Sequence, residues 1–90
     1  MNHIRLKLFV IGNSSISKRA IINLETICSH PKLIGLCDIE VVDVRKHKDL
    51  ISEEKILATP LLIRKKPLPE RRVLGDLSNI QKVLDILEIS

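Results

Sequence analysis

Leu6-Lys7-Leu8-Phe9-Val10-Ile11-Gly12-Asn13-Ser14-Ser15-Ile16-Ser17 passes from a strand through a break into a helix, and this passage sets the architecture of the chain. Toward its end the strand is apolar on both faces, as a central strand covered from both sides must be. Gly12-Asn13-Ser14 stops it. From about Ser15 to Cys28, the residues Ile16, Ala20, Leu24, Ile27 and Cys28 recur at helical spacing. Asn13 or Ser14 is placed to cap this helix, and Pro31 to keep it from continuing.

Beyond it, Asp38-Ile39-Glu40-Val41-Val42-Asp43-Val44 is rich in β-branched residues and alternates for most of its length, which predicts a second strand. Strand, long crossover and strand form a right-handed βαβ unit with parallel strands. Lys46 to Leu57 predicts a helix that turns Leu50, Ile51 and Leu57 toward the core and Ser52 to Lys55 toward solvent. It must end before Pro60, because the residue preceding a proline is driven out of the helical region. Leu61-Leu62-Ile63 and Arg72-Val73-Leu74 predict an antiparallel hairpin, and the prolines of the intervening Arg64 to Glu70 segment suit a loop or an edge. After a turn at Gly75-Asp76, Ser78 and Gln81 have the spacing of a capping box, and Ile80, Val83, Leu84 and Leu87 form a helical stripe.

The order βαβαββα is the thioredoxin topology, an α/β fold. Thr59-Pro60 falls just before the third strand, where that fold places a proline that is usually cis; the alternative is a trans proline that only ends the preceding helix.

Ninety residues suit one domain spanning 1–90, and a chain of this size buries roughly 60–65% of its unfolded surface. The composition, 44% hydrophobic and 29% charged with Phe9 as the one aromatic, implies a core of Ile, Leu and Val. Apolar runs as short as Phe9-Val10-Ile11 do not reach bilayer length, which gives the expectation of a cytoplasmic chain away from membranes. The charge of +4 is concentrated at Arg45 to Lys48, Arg64 to Lys66 and Arg71-Arg72. Such clusters suit an acidic protein face, or phosphates. A single aromatic offers almost no platform for stacking single-stranded bases, so a basic nucleic-acid-binding domain is the weaker alternative.

An enzyme of the thioredoxin fold is the other alternative. There the attacking thiolate sits at the start of the first helix, where the dipole and free N–H groups lower its pKa. Here that place holds Asn13-Ser14-Ser15-Ile16-Ser17, with no sulfur; the serines suit capping, with anion binding as the alternative. Cys28 and Cys37 are nine positions apart in no short paired motif, which predicts free, mostly buried thiols that function does not need. His3, His30 and His47 lie on separate segments, and Gly12, Gly35 and Gly75 form no phosphate-binding loop. No catalytic residue, metal site or cofactor is predicted.

Four blocks taken together carry a more specific likeness: Lys7 to Asn13, Glu40 to Val44, Glu53-Glu54-Lys55-Ile56-Leu57-Ala58-Thr59-Pro60, and Arg71-Arg72-Val73-Leu74-Gly75-Asp76-Leu77-Ser78. In this order and spacing the chain resembles the KaiB family of circadian clock proteins, from about Leu6 to Leu87. The resemblance implies a non-enzymatic adaptor that docks on KaiC, a ring-shaped ATPase, in a clock-like or a stress and signalling system. It implies a homo-oligomer, dimer or tetramer, in the free state. It also implies an alternative packing, βαββααβ, with the same amino-terminal half. By resemblance Arg19, Lys55, Arg71 and Arg72 are partner-binding residues, and Pro60, Gly75 and Asp76 belong to the switch and turn region. Ile22, Glu40 and Ile86 depart from the family pattern. Isoleucine in place of a helix glycine at 86 removes a cost of up to about 1 kcal/mol, which favours the thioredoxin-like form; its β-branched side chain also suits the strand of the alternative packing, and the helix effect is slightly the larger.

Overall fold

A computed structural model describes residues 3–88. It contains β1 (Ile4–Val10), α1 (Ser15–Cys28), β2 (Cys37–Asp43), α2 (Asp49–Glu53), β3 (Leu61–Lys66), β4 (Arg71–Leu74) and α3 (Ile80–Ile86). The order is therefore βαβαββα, and not the alternative βαββααβ. The four strands form one sheet in the order β2-β1-β3-β4. β1 runs parallel to β2, with Phe9 opposite Val42, and antiparallel to β3, with Leu8 opposite Leu62.

Alternation along β1 divides the core in two. Leu6, Leu8 and Val10 face α1 and α3, where they meet Ala20, Leu24, Ile27, Leu62, Val73, Val83, Leu84 and Leu87. Phe9 points the other way, into a smaller cluster with Val42, Val44, Ile56, Leu61 and Ile63. This is why the strand had to be apolar on both faces. Each fully buried aliphatic side chain contributes about 1.5–3 kcal/mol relative to exposure.

α1 has the bounds read from the sequence. Ser14 is its cap, with Oγ accepting from the Ser17 N–H at 3.3 Å, and the buried Ser17 hydroxyl donates to the Ile11 carbonyl at 3.2 Å. The stripe is Ala20, Leu24 and Ile27; Ile16, at the outer end of the first turn, is exposed.

The second half departs from expectation in three places. α2 has five residues rather than the whole of 46–57, and its Lys48 cap makes no side-chain bond. The chain leaves it through Lys55 in the left-handed region, φ 55°, which swings Ile56 into the core and turns Leu57 out to 97% exposure. Leu50 is half-buried, while Ile51 is exposed. Second, β3 continues to Lys66, because Arg64 has a buried place to go. Its guanidinium donates to the carbonyls of Leu87 and, at 2.8 Å, Pro69, and so pins the end of α3 to the β3–β4 loop. A cation at a helix C-terminus also complements the helix dipole. Third, the Ser78/Gln81 capping box does not form. Leu77 is left-handed, φ 64°, which holds Ser78 ahead of the helix with its N–H on Asp76 Oδ1 at 3.0 Å. Asn79 caps instead, accepting from the Lys82 N–H at 3.0 Å, and Gln81 Nε2 donates to Asp85 Oδ1 at 2.9 Å. Ile86 lies within α3 and packs half-buried against the larger core.

Among the described residues no helix is long and apolar enough to cross a membrane.

Candidate functional site

Of the residues singled out in the sequence, Arg19, Lys55, Pro60, Arg72, Gly75 and Asp76 come together around β4 and the turn that follows it. The Pro60 carbonyl accepts the Gly75 N–H at 2.9 Å, which ties the segment entering β3 to the end of β4; the Thr59–Pro60 peptide is cis. Gly75 has φ +110°, a conformation that side chains rarely adopt, so the turn needs glycine there. Asp76 is the next residue and is held from three directions. Its Oδ1 accepts from Ser78 at 3.0 Å, its Oδ2 meets Arg19 Nε at 3.4 Å, and its carbonyl accepts from Asn23 Nδ2 at 2.8 Å. Hydrogen bonds from Ser78, and then the Arg19 guanidinium, hold its carboxyl below the ordinary aspartate value. Arg19 thus joins α1 to the turn and remains more than half exposed, with 57% of its side chain open to solvent.

On the other face of the sheet Arg72 reaches the α2–β3 connection, donating to the carbonyls of Lys55, at 3.3 Å, and Glu54. Carbonyls carry no full charge, so the arginine is positioned without being neutralised. The Glu54 carboxylate is engaged elsewhere, by Lys65 Nζ at 2.8 Å. A hollow of about 220 Å³ lies here, lined by Lys55, Leu57, Ala58, Leu61, Arg72 and Leu74. A second, of about 290 Å³, opens between the end of β4 and α3; it shares Arg72 and Leu74 and adds Gly75, Asp76 and Lys82. Leu57 and Leu74, 97% and 62% exposed, are large apolar side chains set between the cations Lys55 and Arg72.

Arg71 is not part of this group. It stands opposite Arg64 in the β3–β4 register and pairs with Glu88 at 2.6 Å, which holds the Glu88 carboxyl below its ordinary value. Two other basic stretches are also partly neutralised: Arg45 pairs with Asp43 at 3.1 Å, and Lys65 with both Glu54 and Glu70. Sequence reading missed Leu57 and Leu74. Alternation could have found Leu74, since with Val73 inward on an outer strand its neighbour must point out; the outward turn of Leu57 depends on the left-handed Lys55, which no pattern announced.

At the start of α1, the Ser14 hydroxyl is committed to capping and Ser17 is buried. Cys28 and Cys37 are free and half-buried, and they stand together where α1 ends and β2 begins, a proximity that their spacing did not suggest.

The fold and this edge define a thioredoxin-like domain that carries serines where a thioredoxin carries its attacking cysteine. Its backbone superimposes on the N-terminal domain of Synechococcus elongatus SasA with a TM-score of 0.78 and 17% identity, covering 100% of this chain and 88% of that one. Chloroplastic thioredoxin z gives a TM-score of 0.76 at 18% identity, over 98% of this chain and 79% of that one. The KaiB domain profile matches residues 7–89. The circadian clock protein KaiB3 of Synechocystis is 43% identical over 89 residues, 99% of this chain and 86% of that protein. The circadian clock oscillator protein KaiB of Synechococcus elongatus is 45% identical over 84 residues, 93% of this chain and 81% of that protein. The chain belongs to the KaiB family.

Proposed function

We propose that this protein is a non-enzymatic adaptor that docks on a KaiC-like ring ATPase through the β4 edge and regulates it, in a clock-like or a stress and signalling system. The observation that carries the proposal is the exposed apolar pair Leu57 and Leu74 held between Lys55 and Arg72. Buried on a partner, a leucine contributes about 1.5–3 kcal/mol. The flanking cations favour a partner whose apolar patch has an acidic border, and they act chiefly on the rate of encounter. Arg19 and Asp76 extend the same surface across the Gly75 turn. In the free protein a second copy covers the apolar edge, giving a homo-oligomer, dimer or tetramer.

Size-exclusion chromatography of the chain with the ring ATPase, with ATP and without nucleotide, tests this reading. Co-elution together with a changed rate of ATP hydrolysis supports it; separate elution under both conditions refutes it.

A further inference from the structure

α1 ends at Cys28 and β2 begins at Cys37. The eight residues between them do not lead away from the junction. They wind back in successive turns, with His30 N–H on the Ile27 carbonyl at 3.1 Å, Leu33 on His30 at 2.8 Å and Leu36 on Leu33 at 2.8 Å. Ile4 N–H then closes on the Leu36 carbonyl at 2.8 Å, and Ile4 lies opposite Cys37 in the parallel ladder. Both cysteines and Ile4 pack against the same apolar cluster, and neither thiol is shut off from solvent. Burial, and then the adjoining Cys37 thiol, push the Cys28 thiol above its ordinary range.

We propose that Cys28 and Cys37 form a reversible intramolecular disulfide, a two-electron thiol switch that ties the last residue of α1 to the first residue of β2. The oxidant is a small-molecule disulfide such as oxidised glutathione. The thiolate of one of the two cysteines attacks one sulfur of that disulfide, forming a mixed disulfide and expelling one glutathione thiolate. The other cysteine then loses its proton to solvent, and its sulfur attacks the sulfur of the first, forming the protein disulfide and expelling the second glutathione. Two protein thiols are oxidised and one glutathione disulfide is reduced to two thiols. Closing the ten-residue loop constrains the unfolded chain and rigidifies the turns from 29 to 36.

The test is intact-mass spectrometry of the folded protein under non-reducing conditions after incubation with oxidised glutathione. The expected product has lost two hydrogens, has no free thiol, carries no glutathione and returns to the starting mass with dithiothreitol. Cys28→Ser and Cys37→Ser should each stop at one glutathione adduct, on the cysteine that remains. Stable adducts on the unmutated protein, a disulfide-linked dimer, or a folded protein that stays fully reduced would each overturn the proposal.

Discussion

Arg71 and Arg72 are adjacent in the chain and leave β4 on opposite faces: Arg71 pairs with Glu88 beyond α3, and Arg72 spans to the Lys55 and Glu54 carbonyls beside α2. A strand reverses its side chains at every residue, so a pair that reads as one basic cluster becomes two separate devices. One anchors the end of α3, and the other borders the apolar edge.

Charge reversal should separate them. Arg72→Glu is expected to slow association with the ring ATPase about tenfold at low salt, with a smaller effect at high salt. Arg71→Glu breaks an exposed pair of the kind that contributes about 0.2–1 kcal/mol, so it should lower the melting temperature slightly and leave the association rate nearly unchanged. Surface-immobilised binding kinetics and thermal melts on both variants check this; equal slowing by both would show that the two arginines act as one patch.

Leu57→Ser should leave stability within about 0.5 kcal/mol, because the side chain is solvent-exposed, and should weaken partner binding by about tenfold. Its neighbour behaves oppositely. Ile56 is buried in the smaller core, and Ile56→Ala should cost about 2–5 kcal/mol in denaturant unfolding. Loss of stability on changing Leu57 would place it in the core after all.

Legibility in the sequence depends on how local each signal is. α1 was legible to the residue, since its cap, its stripe and its stop all lie within the segment itself. The βαβ unit and the hairpin came from strand composition, and the proline before β3 located the site region. The failures lie where a left-handed residue or a distant partner decides. Lys55 and Leu77 reset the phase of the residues after them, which exposed Leu57 and moved the cap from Ser78 to Asn79. Arg64 looked like the first residue of a loop, and became a buried strand residue because Leu87 and Pro69, far along the chain, supply its acceptors. Arg19, Gly75 and Asp76 were named through the family likeness; their mutual contact is a product of the fold.

Removing that buried arginine should loosen α3. Arg64→Leu leaves the Leu87 and Pro69 carbonyls without their donors, and an unsatisfied buried acceptor costs about 1–3 kcal/mol. A net loss of about 2 kcal/mol is expected, with faster amide exchange concentrated in α3. A variant as stable as the parent would show that water replaces the guanidinium at no cost.

Acid should weaken the β1–α1 corner through Asp43. Arg45 bonds its carboxyl and the Gly12 N–H assists, which lowers its pKa to about 2. A folded-state value below the unfolded one means that the stabilisation is complete above the ordinary aspartate range. It is then lost as pH falls through roughly 4 to 2. A carbon-detected NMR titration should show this carboxyl titrating below the ordinary aspartate range, and Asp43→Asn should flatten the acid limb of the stability curve. An ordinary midpoint would mean that Arg45 is solvated rather than bonded.

Neither thiol belongs to the β4 edge, so the double variant Cys28→Ser, Cys37→Ser should bind the ring ATPase as the parent does under reducing conditions. A folded double variant that fails to bind would move the docking surface toward the α1–β2 junction.

Hydrogen–deuterium exchange of the protein in complex with the ring ATPase, compared with the free chain, tests the docking proposal most directly. Protection at Lys55 to Ala58 and at Arg72 to Asp76, with little change at the α1–β2 junction, is the predicted footprint. A footprint that leaves those two segments unprotected, or no complex from which to take one, would contradict it.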